Sequence, residues 1–447
     1  MDYLCRRKSQ YLQNEKTTSL STTAVAVASL LLAGCSVGGA LNGDKTVIKV
    51  GEAVSSPETL KVSDLGSKIS YVPFETTDSS LIPESWHFMA TQNRLLVINF
   101  SSNGWGHQNC LSFDMDGRFL GVIGHTGEDP EAYSTPFPLV SDDGNMLYFK
   151  RYGQMMYMQA YGVDGSYKGR VFPQIPPLGA TGLSQLMDTI IVSVDSRLHK
   201  FDKDMWITIY SGGLNSRGVE GGVDTTVVKA MPEGYDSYLD YGTAYLSRCT
   251  GVMPHSVNLF LEVEEQGGER KHTYNAEWMC PRLGKVGGEL HFKEPFIDTV
   301  YTVTRNSFTP LYTFDCGENR LVASEVNTKG IGKDKLLVSD MCETKDYLVF
   351  GASMGWMGDD SHTGYVGYFD KKTGITRATT VEKGFEDDLS GFMPFYPVAS
   401  DGQGRFFGVI TVDDIDKWLE ANPGAEVPEP LRNLAPDANP ICVMVSK

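Results

Sequence analysis

Residues 110–124 read CLSFDMDGRFLGVIG. An alternating apolar and polar run enters an aspartate and glycine turn, and a second alternating run leaves it. Period-two alternation puts successive side chains on opposite faces of a strand, while glycine and aspartate tolerate the positive φ of a tight turn. The stretch is therefore a β-hairpin. Its design recurs as MQAYGVDGSYKGRVF at 158–172, LHKFDKDMWITIYSG at 198–212 and VGYFDKKTGITRATT at 366–380. Upstream of each hairpin lies another strand and turn: FPLVSDDGNMLYFKRY at 137–152 is matched by YPVASDGQGRFFGVI at 396–410 and, more weakly, by FMATQNRLLVINF at 88–100.

The repeating unit is thus four strands joined by a tight turn, a variable loop and a second tight turn. Such a sheet can bury both faces only against neighbours, so repeated units predict an all-β fold: a β-propeller of four-stranded antiparallel blades. Six units are assigned, beginning near Trp86, Pro136, Ala180, Gly288, Ser339 and Tyr396. Residues 214–287, with the alternating HSVNLFLEVEE at 255–265, form either a seventh blade or an elaborated first strand of the fourth. The last unit lacks a strand, and ISYVPFETT at 69–77 is a strand without a unit. Pairing these chain ends closes the ring and hides two edges that would otherwise template aggregation.

Ahead of the repeats, Arg6, Arg7, Lys8 and Lys16 precede an apolar run from Leu20 to Gly34 that ends in Leu32, Ala33, Gly34 and Cys35. A charged start and a short apolar stretch ending in small residues read as a secretory signal, shorter than the ~20 apolar residues of a membrane span. The ending resembles a bacterial lipobox, which makes Cys35 the lipidated first residue of the mature chain. The expected organisation is a signal peptide at 1–34, a tether and lead-in at 35–67, and the propeller at 68–447. Removing the four basic and two acidic residues of the signal takes the net charge from −17 to −19. That acidity argues against nucleic acid as a partner. Cys110, Cys249, Cys280, Cys316, Cys342 and Cys442 contain no CxxC pair, so a zinc or iron-sulfur site is not expected, and disulfides and buried thiols both remain open.

VSDLGSKISYVPFETTDSSLI at 62–82, FDMDGRFLGVIGHTGEDPEAY at 113–133, FIDTVYTV at 296–303 and GFMPFYPVASDGQGRFFGVI at 391–410 resemble the six-bladed β-propeller lipoproteins abundant in gut Bacteroidetes. The resemblance spans nearly the whole mature chain. It implies a secreted, lipid-anchored propeller of unassigned function, with no catalytic residue to carry over. At 127–133 the chain reads GEDPEAY where the family more often has a glycine-richer G-x-G-P-x-E-Y form.

Loop length points to where a ligand would sit. Long connections are expected on blades five, six and one: SMGWMGDDSHTG at 353–364, the segment 412–440 and SSNGWGHQN at 101–109, against short turns RYGQM and VDSRL on blades two and three. Loops beyond the structural minimum are often functional. Trp105 with His107, and Trp356 with Asp359 and His362, offer aromatic plates and polar tips suited to a glycan or peptide, and Trp418 stands on the third loop. The competing reading makes the tryptophans packing plugs. Asp359, Asp360 and His362 without a spaced partner, and Asp114, Asp116 and Gly117 without the rest of a calcium loop, read as turns. His255, His272 and His291 lack ligand spacing. VDDIDKWLEANP at 412–423 predicts one short helix.

The expectation is a binding propeller in the cell envelope. It is lipid-anchored to the outer membrane on its periplasmic face, has no cofactor or metal, and holds a glycan, peptide or envelope protein. The alternative is a propeller enzyme of lactonase, lyase or glycosidase type, with catalytic groups at the axis.

Overall fold

The hairpin at 110–124 forms as its pattern dictates, with Asn109–Phe113 antiparallel to Phe119–Val122 and Leu111 opposite Val122. Asp114 holds the turn by accepting from the N–H groups of Asp116 (3.1 Å) and Arg118 (2.9 Å) and from the Arg118 guanidinium at 2.8 Å. Gly117 takes φ +84°, which a side chain would disfavour. The acidic residues are turn formers here. The protein is seen as a computed structural model that describes residues 46–83, 86–99, 108–151, 157–174, 183–187, 190–198, 205–215, 224–229, 242–245, 258–264, 270–277, 282–293, 297–322, 334–355 and 363–447. All belong to a compact unit, Lys45–Lys447. The signal peptide and Cys35 lie outside the described residues.

The architecture is all-β and propeller-like, built from small antiparallel sheets. Sheet one comprises Trp86–Ala90, Leu95–Asn99, Asn109–Phe113 and Phe119–Val122. Sheet two runs from Pro138–Val140 through Met146–Arg151 and Tyr157–Gly162 to Tyr167–Pro173, and sheet three from Leu183–Met187 through Ile190–Leu198 and Met205–Asn215 to Asp224–Lys229. The last strand of sheet two also pairs with the end of Met205–Asn215, the third strand of sheet three, where Phe172 lies opposite Asn215 and Pro173 opposite Leu214. Sheet four holds Arg282–Val286, Glu289–Lys293, Thr299–Val303 and Phe308–Phe314, and sheet five Leu336–Glu343, Tyr347–Met354, Thr363–Asp370 and Thr376–Thr380.

Sheet six is made from both ends of the chain. Ala399–Ser400, Arg405–Ile410 and Ile441–Ser446 are completed by Lys68–Pro73, which runs antiparallel to the C-terminal strand with Ser70 opposite Met444 and Val72 opposite Cys442. The proposed pairing of ISYVPFETT with PICVMVSK is present. Beyond it, buried Asn439 donates from Nδ2 to the carbonyls of Glu75 (2.9 Å) and Ser80 (2.8 Å) and accepts from the Ile82 N–H at 3.0 Å, tying the next turn down.

Apolar clusters fill the spaces between successive sheets. Ile98, Tyr133, Phe149 and Tyr161 join sheets one and two; Met158 and Ile191 join two and three; Val192, Ile207, Phe292 and Val303 join three and four. Val300, Phe314, Phe350 and Phe369 join four and five; Tyr368, Phe406 and Val443 join five and six; Phe88, Phe113, Phe407 and Cys442 join six and one. A sheet that buries both faces against neighbours needs apolar residues on both, which explains the all-buried Leu95–Asn99.

Three expectations require correction. The hairpin at 198–212 was expected to be the third and fourth strands of its unit, yet Ile190–Leu198 and Met205–Asn215 are the second and third, and VDSRL is strand and not a turn. Unit four begins at Arg282 because Gly287 and Gly288, at φ +59° and +93°, form its first turn and not its entry. Among the described residues, the segment 242–277 contributes Gly242–Tyr245, Asn258–Glu264 and Arg270–Glu277 as a three-stranded sheet separate from sheet four, and not an elaborated first strand of unit four.

The lead-in is packed from Thr46 onward. Thr46–Ile48 adds a parallel strand to the outer edge of sheet four, Val50–Ser55 is a short helix, and Leu60–Lys61 pairs with Phe385–Glu386. Ile48, Val50, Leu60 and Val62 are fully buried. Each buried aliphatic side chain is worth roughly 1.5–3 kcal/mol, so this strap contributes to the stability of sheets four to six. The predicted helix spans Val412–Ala421, with Thr411 and Asp414 exchanging hydrogen bonds of 2.9 Å and 3.1 Å as a capping box. No helix among the described residues is long and apolar enough to cross a membrane.

Candidate functional site

The first strands of all six sheets converge on one cavity of about 310 Å³. Each sheet presents to it the end of that strand or the tight turn that follows: Gln92 from sheet one, Asp142 from two, Gln185 from three, Lys285 from four, Glu343 from five, Asp401 and Gln403 from six. The site is assembled from residues scattered over more than 300 positions because one strand per repeat faces the axis.

Its charged groups are matched. The Lys285 ammonium pairs with the Asp142 carboxylate, linking sheets four and two. Glu343 is 4% exposed, and its two oxygens meet His291 Nδ1 at 2.7 Å and the Lys371 ammonium at 2.5 Å. His291 is equally buried, with Nε2 shut off from solvent and 3.7 Å from the Glu289 carboxylate. Burial, followed by the negative charge and hydrogen bond of Glu343, raises the pKa of Tyr312, which keeps that phenol protonated. Asp401 accepts from Arg405 Nε at 2.7 Å and from the N–H groups of Gln403, Gly404 and Arg405 at 2.8–3.1 Å. Burial works to raise its pKa, but these hydrogen bonds outweigh burial and the carboxyl ends below its ordinary range.

The turns at this end of the axis are bonded to one another. The Gly287 N–H donates to the Gly402 carbonyl at 2.9 Å, and the Arg405 guanidinium donates to the Gln92 carbonyl at 2.6 Å. Gly402 has φ +67°, and a Cβ there would drive into the Lys285 carbonyl. Higher in the wall, Gln185 Nε2 donates to the Leu283 carbonyl at 3.2 Å.

Of the residues singled out from sequence, Trp105, His107, Trp356, Asp359 and His362 lie outside the described residues, as do His255 and Cys35. Trp418 is placed: its ring meets Phe392 edge-on at 4.9 Å between centroids and packs against the cluster of sheets five and six. The GEDPEAY loop is a joint between sheets one and two. Tyr133 is fully buried, stacks on Phe149 at 4.4 Å and donates to the Ile123 carbonyl, while Gln159 and Tyr161 donate to the carbonyls of Pro130 and Glu131. Cys110, Cys316 and Cys442 are buried thiols without disulfides, and burial pushes Cys110 and Cys316 up to about 12, so they stay protonated. No group of three His, Cys, Asp or Glu among the described residues could hold a metal ion.

A crystal structure of a protein assigned as exported from Bacteroides fragilis is similar with a TM-score of 0.54 at 16% identity, over 90% of this chain and 99% of that one. That identity speaks to fold alone. The periplasmic gluconolactonase of Pseudomonas aeruginosa (TM-score 0.31, 12% identity, 66% of this chain and 84% of that one) is more distant. So is the β-propeller domain of Myceliophteria thermophila Cps50 (TM-score 0.32, 10% identity, 85% and 100%). Neither bears on chemistry here. No curated protein matches the sequence. The profile of one family, Domain of unknown function (DUF4934), matches residues 45–446, which is almost all of the packed unit, and the chain belongs to that family.

Proposed function

We propose that this protein is a six-bladed β-propeller lipoprotein of the cell envelope that works as a binding module, with its ligand held in the axial cavity. The observation that carries this reading is the cavity itself: a space of about 310 Å³, lined by polar and apolar side chains together, to which every four-stranded sheet contributes. Pockets that hold small ligands are concave, begin near ~300 Å³ and place a few polar groups convergently. The six-blade count rests on six four-stranded sheets, each sharing an apolar cluster with the next and the last with the first. Envelope location rests on the lipobox-like ending at Cys35, with lipid anchorage in the outer membrane and the periplasmic face favoured. Cys35→Ser should release soluble protein, and unchanged membrane fractionation would refute the anchor.

The loops bearing Trp105, His107, Trp356, Asp359 and His362 would add contacts to a glycan, peptide or protein lying over the axis. A thermal-shift screen of sugars and peptides tests the binding role, because any ligand preferring the native state raises its melting temperature. On a ligand so found, Trp105→Ala and Trp356→Ala should weaken capture with little loss of melting temperature. A large drop in melting temperature without an affinity change would make them plugs. An enzymatic reading would draw on the His291–Glu343 pair, but His291 Nε2 faces Glu289 and is closed to the cavity.

A further inference from the structure

We infer that the axial cavity takes a neutral, hydroxyl-rich small molecule of about monosaccharide to disaccharide size. This inference rests on the axial site proposed above and specifies its ligand. The charges on the wall are already matched: Lys285 by Asp142, Glu343 by His291 and Lys371, Asp401 by Arg405. A charged ligand would have to break one of these pairs or be buried without a counter-ion, and both are costly.

What remains on offer is uncharged. The side-chain amides of Gln92 and Gln403 make no hydrogen bond among the described residues, and that of Gln185 donates to the Leu283 carbonyl. These amides come from sheets one, six and three, so they surround the space. An amide both donates and accepts, as a hydroxyl does, and three amides can read several hydroxyls of a polyol without any net charge. The volume of about 310 Å³ is at the small end for ligand pockets and sets the size.

The Lys285–Asp142 pair and the bonds Gly287 to Gly402 and Arg405 to Gln92 tie the turn end together across the axis. Gln92 and Gln403 belong to these turns, so two of the three amides stand on the tied end of the cavity.

The test is isothermal titration of the full mature protein with glucose, maltose, glucuronate and glucosamine at equal concentration, repeated on Gln185→Leu and Gln403→Ala. A neutral sugar should bind at least tenfold more tightly than either charged sugar, and each substitution should weaken it tenfold or more. Equal or tighter binding of glucuronate or glucosamine, still weakened by the substitutions, would overturn the ligand class and leave the site standing. Binding of any probe unaffected by both substitutions would overturn the site. Absence of binding by all four probes would overturn the ligand class. The second variant guards against misfolding of the first, and the melting temperature of each variant identifies that failure.

Discussion

The seam of sheet six and the wall of the axial cavity use opposite materials. At the seam, strands from the two chain ends bury Tyr71, Val443 and Val445 in one cluster and Val72 and Cys442 in another, with no charged pair between them. At the wall, the same repeats turn glutamine, aspartate and lysine toward one space and tie their charges across it. The seam joins the chain ends through apolar area and a ladder of hydrogen bonds, whereas the wall gathers polar groups around one space and matches its charges to limit their burial cost. Damage to the seam should therefore register as lost stability, and damage to the wall as lost binding.

The largest effect is expected from deleting Asn439–Lys447. It removes a whole strand, exposes an edge on each remaining neighbour and releases the Asn439 bonds to Glu75 and Ser80. Against a total stability of ~5–15 kcal/mol, cooperative unfolding should disappear. Calorimetry showing an unaltered transition would mean that the ring closes elsewhere. Phe406→Ala comes next, since its ring is 1% exposed inside the cluster between sheets five and six. Truncating a buried aromatic of this kind costs about 3–5 kcal/mol, readable by denaturant titration, and a loss below 1 kcal/mol would contradict that packing.

Asp401→Asn lies between the two regions. It removes charge-assisted bonds from Arg405 that hold the first turn of sheet six, and it should cost about 1.5–3 kcal/mol at neutral pH. The folded carboxyl titrates below its ordinary range, so its contribution is present above the unfolded value near ~3.9 and is lost as pH falls through the lower folded value. Melting curves of the wild type and Asp401→Asn should therefore converge on acidification below about pH 4. A constant gap through that window would show that Asp401 acts by shape alone. The smallest stability effect belongs to Gln403→Ala at the cavity wall, within about 0.5 kcal/mol of the wild type. A larger loss in a thermal melt would make Gln403 part of the scaffold.

Local pattern made the repeats legible. The Asp and Gly turns at 114–117 and 164–165, the second copy of the first turn at 401–404, and the missing strand at the chain end all follow from alternation and turn chemistry. Where strands outgrow their typical length, pattern misled: Ile190–Leu198 and Met205–Asn215 run past the usual five or six residues, so the Asp-Lys-Asp sequence between them mimicked the later hairpin of the unit. The lead-in carried its own signal in Ile48, Val50, Val54, Leu60, Val62 and Leu65, but apolar residues before a repeat do not say which sheet edge they will cover.

The cavity was hidden for a different reason. It takes single residues such as Gln92, Gln185 and Lys285 from separate repeats, and only after the first strand of each is aligned do they fall on one axis. The matched copies SDDG at 141–144 and SDGQ at 400–403 held the clue, since both place an aspartate at the turn that follows a first strand.

The central claim is that recognition occurs at the axis and not on the outer loops alone. Determining the structure of the protein with its tightest-binding ligand tests this most directly. The account predicts ligand density bounded by Gln92, Gln185 and Gln403, beside an intact Lys285–Asp142 pair. Density confined to the outer loops or to a sheet edge, with the axis filled only by solvent, would contradict it.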